Sequence, residues 1–544
     1  MKKVGINILS VMFSIFFLVG TSFMVEDSLL FIYQNIVHGL ISVLIFVFAF
    51  FLFKYLLTHL FNHFDKNPNN DLKVTKFSKY LEQHPFITSF IIITICWLPY
   101  FICFYPGILS PDPTFQIKQF FGIPNKYSNY VVLLDQNQII TNHHPVIHTL
   151  LLGSCLKLGH LINNDNLGLF FYIIIQSSVF ISTLSYTIYY LKKIGLKTKY
   201  LLITLLIYAL VPVFPMYTMA CVKDVFFGCY IIIFITLLYD LLKAKLSIKK
   251  LLFLLLILVL ITISRNNGIY VIILSLLPIL FIKIDCKKSV IAIFVTAILL
   301  YYGYDKVILP SFKVTNTSVR EALSIPFQQT ARVAKEHEEI LTKKDIKAID
   351  QILNYDTLKV RYNSELSDPV KNGYNRYATK KDLIIYFKSW FKTFFKAPVT
   401  YIEATISNTY GYYYPLKTNW YIYYKEVSRI NEDGFNYHYN NLIIPRKGLT
   451  LFAQGFPYLP VVGMLVNIGL NVWALLIMGV YLLINKKIKY CIYLIPSFVL
   501  FLVCLASPAN CYFRYALPFV FALPLNYGIF KTVNNLKIKK GVKK

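Results

Sequence analysis

Acidic residues are scarce in this chain: 26 Asp and Glu stand against 55 Lys and Arg in 544 residues, and charged residues together make up only 15%. An ordinary globular domain carries roughly a quarter, so a cytosolic enzyme and a disordered chain are both excluded. Cysteine is no staple either. The nine cysteines form no Cys-x-x-Cys pair, and Cys96, Cys103, Cys229 and Cys504 sit inside apolar runs, which excludes a disulfide-built secreted module. Cys221 and Cys511 alone lie where an external disulfide is open. Internal repeats and low-complexity segments are absent. The opening Met-Lys-Lys and its apolar run to Met24 lack an Ala-x-Ala-like cleavage site, so the segment reads as a retained first helix.

Apolar sequence is what the chain has in abundance. Hydrophobic residues reach 56%, and they arrive in blocks long enough to cross a bilayer as helices. These lie near 5–24, 36–57, 85–105, 146–162, 168–191, 199–219, 225–242, 251–264, 268–284, 289–309, 461–484, 490–507 and 514–532. The chain therefore reads as an all-α polytopic membrane protein.

The net charge of +29 is carried by Lys tracts between the blocks, at Lys66–Lys79, Lys192–Lys199, Lys243–Lys250, Lys287–Lys288, Lys486–Lys489 and Lys531–Lys544. In a soluble protein such a balance points to nucleic acid; between apolar blocks it orients the chain, and no nucleic-acid partner is expected. If every tract is cytoplasmic, the stretch from Tyr105 to Leu191 needs an odd number of crossings but offers two blocks. The weaker is 146–162, which starts His-His-Pro and contains His148, Lys157 and His160. It reads as an amphipathic helix on the outer surface. About twelve crossings remain, with both termini cytoplasmic.

Four regions follow. Residues 1–84 hold two N-terminal crossings and a cytoplasmic loop. Residues 85–309 form the membrane core, with a first outer loop at 106–167. Residues 310–450 form an extracytoplasmic, mainly helical soluble domain, and 451–544 the C-terminal crossings with a basic tail.

Positive-inside bias leaves some charges unexplained: Asp112, Lys223, Asp224, Arg265 and Arg514, all at outer ends of apolar blocks. Ionisable residues there are expensive and tend to serve a function. Asp112, between Pro111 and Pro113, reads as a general base, as an acidic ligand for a divalent ion, or simply as a turn residue. His143 and His144 read as helix-start polar groups or as substrate contacts. His144 and His148, four apart, also have the spacing of two metal ligands, though no third is visible. Lys223 and Asp224 read as a salt bridge or as part of a site. Arg265, followed by Asn266, and Arg514, followed by Tyr515, face outward; two or three such cations suit the phosphate of a lipid carrier. The tyrosines of 408–415 and Trp420–Tyr424 read as an interfacial aromatic belt or a sugar-stacking platform.

The pattern resembles the GT-C superfamily of membrane glycosyltransferases. His144-Pro145-Val-Ile-His-Thr-Leu-Leu-Leu-Gly resembles the interfacial helix of protein O-mannosyltransferase-like members. Tyr-Pro-Gly-Ile-Leu-Ser-Pro-Asp112, Asn-His-His-Pro145, Ser-Arg265-Asn-Asn-Gly and Pro326-Phe-Gln-Gln-Thr more closely resemble an uncharacterised bacterial membrane-protein family grouped near them. The resemblance covers about 85–532. It implies a GT-C-like core, a polyprenyl-phosphate-linked sugar donor, inversion at the anomeric carbon and an acidic catalytic residue matching Asp112. Many members carry a second acidic residue beside the first, whereas Asp112 stands alone, so no cofactor is implied firmly and a divalent metal stays open.

Together these readings predict a glycosyltransferase of the cell membrane with an extracytoplasmic site. Asp112 would be catalytic; His143, His144, Lys223, Asp224, Arg265, Asn266, Arg514 and Tyr515 would bind substrate. The acceptor would be a glycan, lipid-linked saccharide or surface polymer. The alternative is a transporter or flippase for a lipid-linked saccharide, which predicts paired halves with helices broken at the midplane.

Overall fold

Thr198–Leu210 and Val213–Met219 meet at a bend of 46° next to Pro212, because proline removes a backbone donor and clashes with the preceding turn. In a computed structural model, which describes residues 1–66, 75–243, 246–419, 421–422 and 429–536, this is the one such bent pair. The described residues are helical throughout, with isolated bridges but no strands. Seven helices are long and apolar enough to cross a membrane: Lys2–Glu26, Ile36–Lys66, Pro85–Cys103, Asp165–Lys193, Lys287–Ser311, Ile488–Leu505 and Phe513–Asn535. The bent pair makes eight if it is one span.

The other expected crossings fall on shorter helices. Asp224–Asp240, Ile248–Ser264 and Ile468–Ile484 have 17 residues each and Gly268–Ile279 has 12. At 1.5 Å per residue, 17 residues span about 26 Å, close to the hydrocarbon thickness. The block expected from 461 becomes regular helix only at Ile468, since Pro457 and Pro460 interrupt the chain just before it.

Polar contacts gather the Lys-rich segments at one end of the bundle. Lys2 pairs with Asp65, and Tyr481 donates to the same carboxylate at 2.7 Å. Asn534 donates to the Phe64 carbonyl (2.7 Å), and Lys487 to the Val533 carbonyl (2.8 Å). Lys531 lies over the Phe64 and Tyr200 rings, which joins the start of Thr198–Leu210 to the group. Glu82 meets Lys192 and Thr198, while Asp240 meets Tyr190 and Lys250. Both the first and the last described helix thus begin or end here. The tract residues 67–74, 244–245 and 537–544 lie outside the described residues.

At the opposite end, Val146–Leu161 is bracketed by segments that share that end. Before it, the Asn142 amide bonds the Thr315 carbonyl (2.8 Å). After it, Asp165 accepts from the Asn436 amide (2.7 Å), and neighbouring Tyr437 donates to the Gly107 carbonyl (2.8 Å). Gly159 and Gly168 make this hairpin tight. A Cβ on Gly159 would lie 2.4 Å from the Gly168 Cα, so only glycine lets the two backbones touch.

Helices between Ser324 and Ser407 build a second core at this end, around Phe327, Ala331, Ile352, Leu353, Val370 and Tyr386. It is fastened to the bundle by buried polar contacts. Arg332 donates to the Asp27 carbonyl and lies 3.4 Å from Glu403, and the Asn510 amide donates to the Glu365 carbonyl. Gln328, Gln329 and Thr330 of the Pro326 motif bond within this core, to Asn363, Thr405 and Tyr386. The motif is structural.

One expectation fails here. Tyr410, Tyr412 and Tyr414 are neither an interfacial belt nor a stacking platform. All three are buried, and their hydroxyls bond Glu365, Ser507 and Thr21, because a buried phenol needs a polar partner. Trp420, Tyr423 and Tyr424 lie outside the described residues. Cys221 and Cys511 are both free and buried, not paired.

Candidate active site

Several chain turns converge at the end remote from the Lys tracts. Cys103 ends one helix, and the following loop is pinned where the Ile108 amide bonds the Met219 carbonyl (2.7 Å) and the Cys221 amide bonds Ile108 (3.2 Å). That tie sets Asp112, in the first turn of helix Pro111–Phe120, against Lys223. Pro111 stands at the first helical position, where a missing amide proton costs nothing. Asp224 begins Asp224–Asp240, Arg265 caps Ile248–Ser264, and Arg514 is the second residue of Phe513–Asn535.

Their charges interlock. Arg514 Nη1 lies 2.7 Å from Asp112 Oδ2, and its Nε lies 3.4 Å from Asp224 Oδ2. Arg265 Nη1 lies 2.9 Å from Asp224 Oδ1. Asp224 is fully buried, so it bridges the two guanidiniums and presents no face to a substrate. Its expected role as a binding residue therefore becomes one of positioning the arginines. Tyr515 lies beneath both, with its ring 5.1 Å from the Arg265 guanidinium and 5.7 Å from that of Arg514. Asn266 reaches the loop and not the charges: its amide donates to the Asn142 carbonyl at 2.9 Å.

The histidines divide. Lys223 Nζ lies 2.7 Å from His144 Nδ1. An ammonium can only donate, so Nδ1 accepts and the ring proton sits on Nε2, which faces Asp112 Oδ1 at 3.8 Å. His143 stacks on Tyr127 (4.0 Å between centroids) and lies 3.9 Å from Glu321. His148 turns away into a separate network. Gln176 donates both amide protons to the Thr218 and Ala220 carbonyls and accepts from Tyr172, while His148 shares Nε2 with the Tyr172 hydroxyl (2.7 Å) and Nδ1 with Gln116 Oε1 (3.1 Å). The His144/His148 spacing therefore does not converge on one point. Among the described residues no group of three His, Cys, Asp or Glu could hold a metal.

Two residues of the cluster escaped the sequence reading. Tyr127 donates to Asp112 Oδ1 at 3.0 Å. Glu321, held by Lys371 (2.6 Å) and Arg320 (2.9 Å), arrives from the segment that leads into the second helical core. Nothing local marks Tyr127 among 42 tyrosines; Glu321 stands out only as an acid in a run of basic sequence.

Electrostatics follow from burial and these partners. Burial opposes ionisation of Asp112, but Arg514, His144 and Lys223 overcome it and hold the carboxyl well below the usual range. Glu321 is likewise brought to about 2 against its burial, chiefly by Lys371. Burial lowers Lys223 to about 8, with Asp224 and Asp112 opposing, so it stays charged at neutral pH. Burial and Lys223 keep His144 well below its ordinary value, and burial brings His143 to about 4.

A pH prediction follows from His143. Below about 6.5 the unfolded chain takes up a proton that the folded ring refuses until about 4. Stability is therefore fully present above 6.5 and falls as pH drops through this window, by up to about 3 kcal/mol for this ring. His143→Gln should reduce the pH dependence of the apparent melting temperature between those values, leaving the part due to His144 and His148, which burial also holds low. An unchanged slope would mean that water reaches the ring. Asp112 and Glu321 act only at lower pH.

A family model matches residues 4–537. The chain belongs to that family, described as a family of unknown function (DUF6020). Among solved structures, similarity extends to the archaeal oligosaccharyltransferase AglB from Archaeoglobus fulgidus, in complex with an inhibitory peptide and a dolichol-phosphate, at 11% identity and a TM-score of 0.39. That match covers 85% of this chain and 50% of the other, so the chain spans about half the length of AglB. No curated protein matches.

Proposed function

We propose that this family member is a glycosyltransferase of the cell membrane, working at the end of the bundle that carries the Asp112 cluster. One observation supports the reading above others: a partly exposed carboxylate lies in hydrogen-bonding contact with an arginine that is linked to two further cations, a group with phosphate-binding chemistry. Asp112 touches Arg514, which shares Asp224 with Arg265, and Lys223 stands one residue away on His144. The donor is a sugar on a polyprenyl phosphate. The acceptor hydroxyl of a glycan, lipid-linked saccharide or surface polymer attacks the anomeric carbon, and its proton passes to Asp112. The bond from that carbon to the phosphate oxygen breaks, and its electron pair stays on the phosphate beside Arg514, Arg265 and Lys223.

The interior below the cluster argues against the flippase. Phe521 lies seven residues, about 10 Å, along the helix from Arg514. It packs against Phe180 (4.8 Å) and Phe214 (5.1 Å), and Trp97 packs on Phe180 (5.6 Å). All four are buried, leaving an aromatic layer where a polar headgroup would have to pass.

In this reading the Lys end is cytoplasmic, Val146–Leu161 lies along the outer interface, and twelve helices cross, with 310–450 outside. Single cysteines at Asn164 and Lys197 should then label from opposite sides of the membrane; labelling from one side overturns the threading. The function is tested with purified protein, a polyprenyl-phosphate-linked labelled sugar and an envelope extract as acceptor source. Release of polyprenyl phosphate with transfer of the label is expected. Movement of the intact lipid-linked sugar between liposome leaflets, without release, would establish the flippase instead.

A further inference from the structure

Arg514 carries two carboxylates on two edges, and they are not equivalent. The Nε edge faces Asp224, which is fully buried and also tied to Arg265. The Nη1 edge faces Asp112, whose side chain is 21% exposed and sits at the open start of a short helix. An anion arriving from outside can reach the second edge but not the first.

Asp112 also has somewhere to go. Tyr127 already donates to its other oxygen at 3.0 Å. His144 Nε2, buried and without a hydrogen-bond partner, stands 3.8 Å from that same oxygen, so a small shift converts the gap into a bond. Phosphate and carboxylate oxygens make the same charge-assisted contacts to a guanidinium fork.

We propose that Asp112 occupies the phosphate subsite of Arg514, and that the donor's phosphate displaces it onto Tyr127 and His144. This rests on the transferase reading above. Exchange explains how a carboxylate held by an arginine becomes a useful base: it is released only once the donor has taken the arginine. Asp224 keeps Arg514 and Arg265 aimed throughout and does not move. The order of events is therefore donor first, acceptor second. In the transfer step the acceptor oxygen bonds the anomeric carbon, its proton goes to the displaced Asp112, and the broken bond's electron pair stays on the phosphate oxygen held by Arg514.

The probe is a polyprenyl phosphate without sugar, titrated into full-length protein in nanodiscs. Asp112→Asn should bind it roughly tenfold more tightly than the wild type, since the competing anion is gone. Unchanged or weaker binding by the variant would overturn the exchange. A structure of the wild type with the probe gives an independent reading that needs no variant. Phosphate oxygens should lie within about 3.2 Å of Arg514 Nη1, with Asp112 moved beyond about 4 Å from it. Phosphate bound elsewhere while the Asp112–Arg514 pair persists would overturn it too. Absence of saturable binding by wild type and variant alike would instead remove the phosphate site, and with it the transferase reading on which the exchange depends.

Discussion

Asp112→Asn should retain folded protein and lose roughly two to four orders of magnitude in turnover, the range that general-base catalysis supplies. The substitution is nearly isosteric and keeps one acceptor oxygen in place of the two that the Tyr127 hydroxyl and Arg514 now meet at 3.0 and 2.7 Å. What it removes is the capacity to take a proton. Sugar transfer from a polyprenyl-phosphate donor, measured under saturating donor, checks this. The loss should appear in kcat while donor affinity is kept or raised, because the phosphate contacts of Arg514, Arg265 and Lys223 remain and the competing carboxylate is gone. An Asn variant within a few-fold of wild-type turnover would leave Asp112 as a turn residue and move the base elsewhere, with Glu321 the next carboxylate in reach of His143.

Asp224→Ala should be the most damaging single change to the fold. Asp224 is completely buried and sits between Arg265 and Arg514, themselves nearly buried. Its removal leaves two guanidiniums facing each other without their shared counter-charge. Breaking a buried ion pair in this way costs about 3–5 kcal/mol, because the remaining charge stays desolvated. A large drop in apparent melting temperature or in the yield of folded protein is the measurement. Adding Arg265→Ala to Asp224→Ala should recover part of the loss, since the stranded charge goes with it; residues sharing one network are non-additive in this sense. A single Asp224→Ala variant that melts like the wild type would mean that water fills the space and the pair is not desolvated. The two substitutions thus separate chemistry from scaffold.

Much of the architecture is legible without coordinates, and the reason is physical. A helix that faces lipid must be apolar over its whole length, so each block announces itself locally, and each expected crossing coincides with a helix or a bent pair. The Lys tracts are equally visible, and the contacts of Asp65, Glu82 and Asp240 bring several of those segments to one end. The block at 146–162 stands out because lysine and histidines interrupt it, and its flanks return to the site end. The misreadings came where composition admits two environments. A tyrosine run is the same string at an interface, on a sugar platform or in a core, and only the partners of Tyr410, Tyr412 and Tyr414 decide among them. For His144 and His148, too, the partners decide what the spacing left open. Their spacing puts them on one helical face, but His144 precedes the helix and turns to Lys223, while His148 turns to Tyr172.

By itself the sequence determined that the chain is a helical membrane protein, where its helices lie, and which charges at the ends of apolar blocks stand apart from the Lys tracts: Asp112, Lys223, Asp224, Arg265 and Arg514. Those are properties of single segments, set by transfer free energy residue by residue. Only the tertiary structure decided which charge holds which. Asp224 became the bridge between two arginines, Asp112 the partner of Arg514, and Tyr127 and Glu321 joined the cluster from segments without a local signal. A charge at a helix end shows that burial must be compensated; the compensating partner is chosen by how distant helices pack, and that choice is written in no single stretch of the chain.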